Sequence, residues 1–394
     1  MNHIIWYPGH DLILKDIVRA ENCHLYDSTG KKFVDLESGV WCTSIGHGHP
    51  RIRKIISEQA ALNSHSGFNY TNEVVEDSAR EILALFGFAE GKCIFLCSGS
   101  ESVEFGVRAA QTLSDRPLLM TMSDSYFGAY GSASQRMADE WFCFDWSPCA
   151  DCPEETECNQ ECPYLASVPF DRIGGFLLEP GSSSGHVRFP PKKLIQKIVE
   201  IVRADDGFVL INEVTTGVGR TGKWFGYQHY DISPDIVALG KGIGNGYPVS
   251  VTIFAPEIAN QLQTQPVKYA QSHQNDPLGA VVAREVVRVI REDKLIERSR
   301  EIAAVLGTGL NKIKTGSKRV KDIRVRGLMA AVELEDDADN SFAIKIHREL
   351  INRGYIVGRR PGESMLRIDP SLTIDTRDIE GFIKVLSEIL AGSA

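Results

Sequence analysis

The chain has no long apolar run: nothing in its 394 residues approaches the roughly 18 apolar positions needed to cross a bilayer. The opening stretch MNHIIWYPGHDLILKD is broken by Pro8, Asp11 and Lys15, so it does not read as a signal peptide. Basic clusters are missing too. With a net charge of −9 and a pI near 5.7, a nucleic-acid surface is not expected. No internal repeat and no low-complexity tail stand out. The expectation is a cytoplasmic protein with no membrane and no nucleic-acid partner. Nine cysteines, some of them close neighbours, would be odd as disulfides in a reducing compartment and are read as thiols.

The hydrophobic fraction of 43% and charged fraction of 24% are ordinary for a globular protein, and the length suits a large domain plus a smaller one. Apolar runs of strand length recur as KCIFLCSG, LLMTM, GGFLLEP, FVLINEV, PDIVALG and VSVTIF. Helical patterns fall between them. NEVVEDSAREILALFG opens with a capping Asn72 and closes on Gly87. PPKKLIQKIVEIVRADDG puts Leu194, Ile198, Ile201 and Val202 on one face. This alternation predicts a mostly parallel α/β sheet covered by helices. We expect three segments: residues 1–50 packing with a small domain, a large domain over 51–290, and a C-terminal α+β domain over 291–394.

Four segments carry chemistry. In PDIVALGKGIGNGYP, Lys241 follows an apolar strand and lies among Gly240, Gly242, Gly244 and Gly246. A lysine so placed can be desolvated, as a Schiff-base lysine requires, although a surface lysine in a turn has the same signature. In FLCSGSESVEFG, Ser98, Gly99 and Ser100 can present N–H groups and hydroxyls to a phosphate at a helix start; a plain capping box from Ser98 to Glu101 reads the same way. FVLINEVTTG ends a strand on Asn212 and Glu213, where α/β sheets bind ligands. DSYFGAYG offers Tyr126 as an aromatic able to stack on a planar ring, or to pack in a core.

In this order and spacing, LYDSTGKKFVDLESGVWCTSIGHGHP, CSGSESVEFGVRAA, FLLEP, NEVTTGVGRTG, LGKGIGNGYP and MLRIDPSLTI resemble the class-III (ω-amino acid, acetylornithine-like) aminotransferases. These are pyridoxal 5′-phosphate (PLP) enzymes of fold type I, and the resemblance covers nearly the whole chain. It implies a large domain with a seven-stranded, mostly parallel sheet. Lys241 would be the Schiff-base lysine and proton shuttle. Cofactor contacts would come from Ser98, Gly99, Ser100, Tyr126, Phe127, Glu179, Asn212, Val214 and Thr215, with Ser272 reaching a partner subunit's phosphate in a homodimer. Trp41 would wall the substrate pocket, and Arg367 would grip a substrate carboxylate; a structural ion pair is the plainer reading of that arginine.

The expected reaction moves an amino group from an amino-acid or ω-amine donor to an oxo acid by ping-pong kinetics. The departures matter. Asn212 stands where the family carries an aspartate that keeps the ring nitrogen protonated. That raises a racemase, epimerase, aminomutase or lyase as the alternative. A non-catalytic relative is a third reading, which the intact Lys241 opposes. Ser184 stands where ornithine-type relatives carry a glutamate, which ranks ornithine-like substrates lower. Phe127 replaces a common histidine, and Thr215 a common glutamine.

One motif lies outside this pattern. Cys149, Cys152, Cys158 and Cys162 follow C-x2-C-x5-C-x3-C in what looks like an insertion. Four thiolates suffice for a structural zinc ion or, alternatively, an iron–sulfur cluster; uncoordinated or disulfide-linked thiols remain open.

Overall fold

The computed structural model describes residues 3–5, 12–153, 158–159, 161–183, 186–336 and 339–392. Ser184 therefore lies outside the described residues. Two compact units result: Met1–His49 with Gly185–Val187 and Glu297–Ala394, and Pro50–Ser184 with Arg188–Ile296.

The N-terminal part of the smaller unit is an antiparallel meander, β1 (Ile17–Glu21), β2 (His24–Asp27) and β3 (Lys32–Asp35). The turn between β2 and β3 is held by Asp27 Oδ1, which accepts the N–H groups of Thr29 (2.9 Å) and Lys31 (3.0 Å). Gly30 supplies the left-handed φ of 86° that this turn demands.

Next in the chain comes the larger unit. Its helices longer than one turn are α1 (Pro50–Leu62), α2 (Glu73–Ala84), α3 (Gly99–Leu113), α4 (Lys192–Ala204), α5 (Pro256–Thr264) and α6 (Pro277–Glu292). Its strands are β4 (Lys92–Leu96), β5 (Leu118–Met122), β6 (Trp141–Phe144), β7 (Ile173–Leu178), β8 (Phe208–Asn212), β9 (Ile236–Leu239) and β10 (Ser250–Phe254). They form one seven-stranded sheet in the order β4-β10-β9-β8-β7-β5-β6. Neighbours from β9 to β6 are parallel, and β10 runs antiparallel to both β9 and β4. Every residue of β5, β7, β9 and β10 is buried, which is why these strands read as unbroken apolar runs rather than alternating ones.

The helices follow their sequence signals. Asn72 caps α2, its side chain accepting from the Val74 N–H. In α4, Leu194, Ile195, Ile198, Val199, Ile201 and Val202 form the buried face.

The unit boundary falls within α7 (Leu295–Gly316), after which β11 (Val320–Arg326), β12 (Met329–Leu334), α8 (Ser341–Asn352), β13 (Tyr355–Ile356), β14 (Met365–Ile368) and α9 (Thr376–Ala391) complete the smaller unit. β11-β12-β14 form an antiparallel sheet, while β13 adds in parallel to β3, so the N-terminal meander belongs with the C-terminal residues. No described helix is long and apolar enough to cross a membrane.

Candidate active site

The chemistry-bearing residues of the larger unit follow the carboxyl ends of β4, β5, β7, β8 and β9, the edge at which parallel sheets bind ligands. There a cavity of about 180 Å³ is lined by Gly99, Ser100, Val103, Tyr126, Phe127, Gly128, Asn212, Val214 and Lys241.

One end of the cavity is the start of α3. Ser98 caps this helix, its Oγ accepting the Glu101 N–H at 3.3 Å while Glu101 accepts the Ser98 N–H at 2.8 Å. The capping box is therefore real, but it leaves the next two donors unused: no described residue accepts from the N–H of Gly99 or Ser100. Two such N–H groups at the positive end of a helix dipole suit a phosphate. The backbone packs so closely here that side chains are excluded. A Cβ on Gly99 would lie 2.7 Å from Val214 Cγ1. One on Gly128, whose φ is 117°, would lie 2.3 Å from Ser100 Oγ. Ser100 Oγ is held by the Ala129 N–H at 3.0 Å.

Lys241 follows β9 with a left-handed φ of 44°, and its Nζ donates to Thr215 Oγ1 at 3.1 Å. Asn212 is 3% exposed at the end of β8. Its Nδ2 donates to the Tyr126 carbonyl at 3.0 Å, and its Oδ1 accepts the Val214 N–H at 3.1 Å. A carbonyl cannot donate and an N–H cannot accept, so the two backbone groups fix the amide orientation. Glu179, buried after β7, accepts the Tyr126 N–H at 3.1 Å and the Ser183 hydroxyl at 2.5 Å. Burial pushes its carboxyl up to about 7, against the pull of these hydrogen bonds and of Lys241. Glu179 thus positions the Tyr126 backbone rather than lining the cavity.

The predicted residues divide accordingly. Gly99, Ser100, Tyr126, Phe127, Asn212, Val214 and Lys241 meet in one cavity, with Thr215 behind Lys241. Phe127 also packs into the core against Trp141. Ser98 is a cap that also bonds Tyr130. Ser272 is exposed and outside the cavity. Gly128 was not singled out from the sequence; its signal is a glycine after two aromatics, meaningful only once Ser100 is seen to pack on it.

Trp41 and Arg367 belong to the smaller unit. Residues 38–41 form one left-handed turn, with φ of 46° at Ser38, 58° at Gly39, 56° at Val40 and 67° at Trp41. Such backbone costs about 1–2 kcal/mol per non-glycine residue. It is held by Asp35, which accepts from Glu37 and Gly39, and by Asp369, whose carbonyl takes the Ser38 hydroxyl and whose carboxylate takes the Trp41 indole N–H at 3.0 Å. The Arg367 guanidinium lies 4.0 Å over the Trp41 ring and donates twice to Asp369 at 3.2 Å. Arg367 thus stands in a buried ion pair. Beside it, burial and the neighbouring Asp35 and Asp369 push Glu37 up to about 7.

Two unused N–H groups beside glycines, a lysine and a fixed polar side chain around one cavity suit an aldehyde cofactor with a phosphate and an aromatic ring. The family model for class-III aminotransferases matches residues 6–390. The acetylornithine aminotransferase of Aquifex aeolicus is 28% identical over 383 residues, 95% of this chain and 96% of that protein. The leucine/methionine racemase of Thermococcus litoralis is 26% identical over 401 residues, 95% and 90% of the two chains. Among solved structures, a Bacillus anthracis aminotransferase superposes with a TM-score of 0.89 at 22% identity, covering 99% of this chain and 96% of the other. The chain belongs to the class-III aminotransferases. It is a PLP-dependent aminotransferase of fold type I.

Proposed function

We propose that the cavity around Lys241 takes an amino group from an amino-acid or ω-amine donor and delivers it to an oxo acid in two half-reactions. The observation that carries this reading is the convergence of Lys241, the two unused N–H groups of α3 and the fixed Asn212 amide on one cavity. When bound, PLP supplies the carbonyl carbon that captures the amino group and a ring that withdraws electrons. Gly99 and Ser100 would hold its phosphate, Tyr126 and Val214 would pack against its ring, and Asn212 would meet the polar edge of that ring. Lys241 Nζ, oriented by Thr215, carries the proton to and from the substrate carbon.

Arg367 receives the substrate carboxylate in this reading, which then competes with Asp369 for the guanidinium. The assembly is a homodimer. Ser272, exposed and outside its own chain's cavity, is assigned to the partner copy's phosphate. The compartment is the cytoplasm, in keeping with a chain that carries neighbouring cysteines as thiols.

The test is spectroscopic. A donor added alone converts the cofactor's visible band to the pyridoxamine form, and an oxo acid restores it; Lys241→Ala abolishes both changes. If a donor changes configuration with no acceptor present and no pyridoxamine form accumulates, the reading passes to a racemase or mutase. Asn212 favours that second reading, because an uncharged amide cannot neutralise a protonated ring nitrogen.

A further inference from the structure

The loop after β6 does not obey the packing logic of the rest of the unit. It is anchored at both ends. Before it, Trp146 is 2% exposed, with its indole N–H on Asp124 at 2.8 Å and the Arg188 guanidinium over its ring. After it, Leu165 is 1% exposed. Between these anchors the stretch CADCPEETECNQEC contains no large apolar residue. A segment of this composition cannot hold itself in place by burial and needs a cross-link.

The described part of the loop supplies four thiols facing one cavity: Cys149, Cys152, Cys158 and Cys162, together with Asn159 and Lys193. They come as two turns. Cys149 closes a 3-10 turn, its N–H on the Trp146 carbonyl at 2.8 Å, and its own carbonyl accepts the Cys152 N–H at 3.3 Å. Cys162 donates to both the carbonyl (3.2 Å) and the side-chain oxygen (3.1 Å) of Asn159, and it caps the short helix Pro163–Ala166. Burial, with Cys162, Cys158 and Cys152 close by, pushes the Cys149 thiol up to about 11. Lys193 and Lys197 act in the opposite direction on Cys158. Lys193 is itself tied to the loop through the Pro153 carbonyl.

We propose that Cys149, Cys152, Cys158 and Cys162 form a structural zinc site that staples this loop to the larger unit. Four thiolates on one Zn²⁺ complete a tetrahedral shell with no open position, so the ion has no part in the aminotransferase chemistry. The complex carries a net charge of −2, and Lys193 lines the same cavity. No three of the four sulfurs lie within 4.8 Å of one another, whereas a tetrahedral zinc–thiolate shell holds its sulfurs about 3.8 Å apart. Binding therefore draws the two turns together. Each thiol gives up its proton to the solvent as its sulfur bonds the metal, so retention weakens as the pH falls.

The experiment is metal analysis of the purified holoenzyme, prepared without chelators. The expected result is one zinc per chain, released stepwise as an organomercurial titrates the native thiols. Cys158→Ser and Cys162→Ser should each lower zinc content at least about tenfold, while Cys143→Ser, outside the loop, leaves it unchanged. If the serine variants do not fold, the mercurial titration of the wild-type chain decides alone. Three results overturn the proposal: no zinc with all four thiols open to a thiol reagent, disulfides among the four in the native protein, or iron with acid-labile sulfide in place of zinc.

Discussion

Asn212→Asp changes one heavy atom at the position proposed to meet the cofactor's ring nitrogen. The Tyr126 carbonyl loses the amide donor now 3.0 Å away and faces a carboxylate oxygen instead, while the Val214 N–H keeps its acceptor. Setting a carboxylate oxygen against that carbonyl, where the side chain is 3% exposed, costs about 1–3 kcal/mol. In a chain of this size, about 2 kcal/mol lowers the melting temperature by about 2–3 °C. That loss belongs to the cofactor-free protein. With PLP bound, a carboxylate can pair with a protonated ring nitrogen, so the holoenzyme variant recovers part of the deficit. Two measurements separate these effects. Calorimetry of apo and holo forms reads the stability, and the ¹⁵N resonance of labelled PLP reads the ring nitrogen, which should move toward the protonated range in the variant. An apo variant that melts like the wild type, together with an unchanged ¹⁵N signal, refutes the reasoning. It would mean that neither the Tyr126 contact nor the missing charge matters.

Two further outcomes follow from the same geometry. Gly99→Ala forces a methyl to within 2.7 Å of Val214 Cγ1, an overpacking that costs about 1–3 kcal/mol and should weaken PLP retention on dialysis by about tenfold or more; retention equal to the wild type would show that α3 can shift. Glu179 and Glu213 are each pushed from 4.5 up to about 7, burial being the main cause. A carboxyl whose folded pKa lies above its unfolded one contributes stability that is full below about 4.5 and is lost as the pH rises through about 7, up to about 3 kcal/mol per group. Melting temperatures should therefore fall from about pH 5 to about pH 8. Glu213→Gln should flatten its share of that slope while lowering stability throughout, because a glutamine cannot accept from Thr216, Gly226 and Tyr227 as both carboxylate oxygens now do.

The sheet was legible because its central strands are buried on both faces and so read as apolar runs, with helix signals such as Asn72 and the Pro191 entry between them. The Ser98–Glu101 capping box could be read from the sequence, but its consequence could not. Only the structure shows that Gly99 must be glycine because Val214, far along the chain, presses against it. Long-range contacts of this kind leave no local pattern. The same holds for Arg367. Its sequence context suggests a hand for a carboxylate; the partner it already grips, Asp369, lies only two residues on, but the left-handed turn that brings the Trp41 indole to that aspartate lies more than 300 residues earlier in the chain.

Asn212 shows the reverse limit. Read alone it is a lost charge, a defect in an electron sink. In the folded chain the amide is the group that both the Tyr126 carbonyl and the Val214 N–H require, since a carboxylate would satisfy only the second. The neighbouring backbone is built for an amide, and Glu179 secures that backbone through the Tyr126 N–H. A fixed amide, rather than a damaged carboxylate, is what these three contacts describe. If Asn212 meets the cofactor ring as proposed, the reaction is one that Lys241 drives with an uncharged partner at that position.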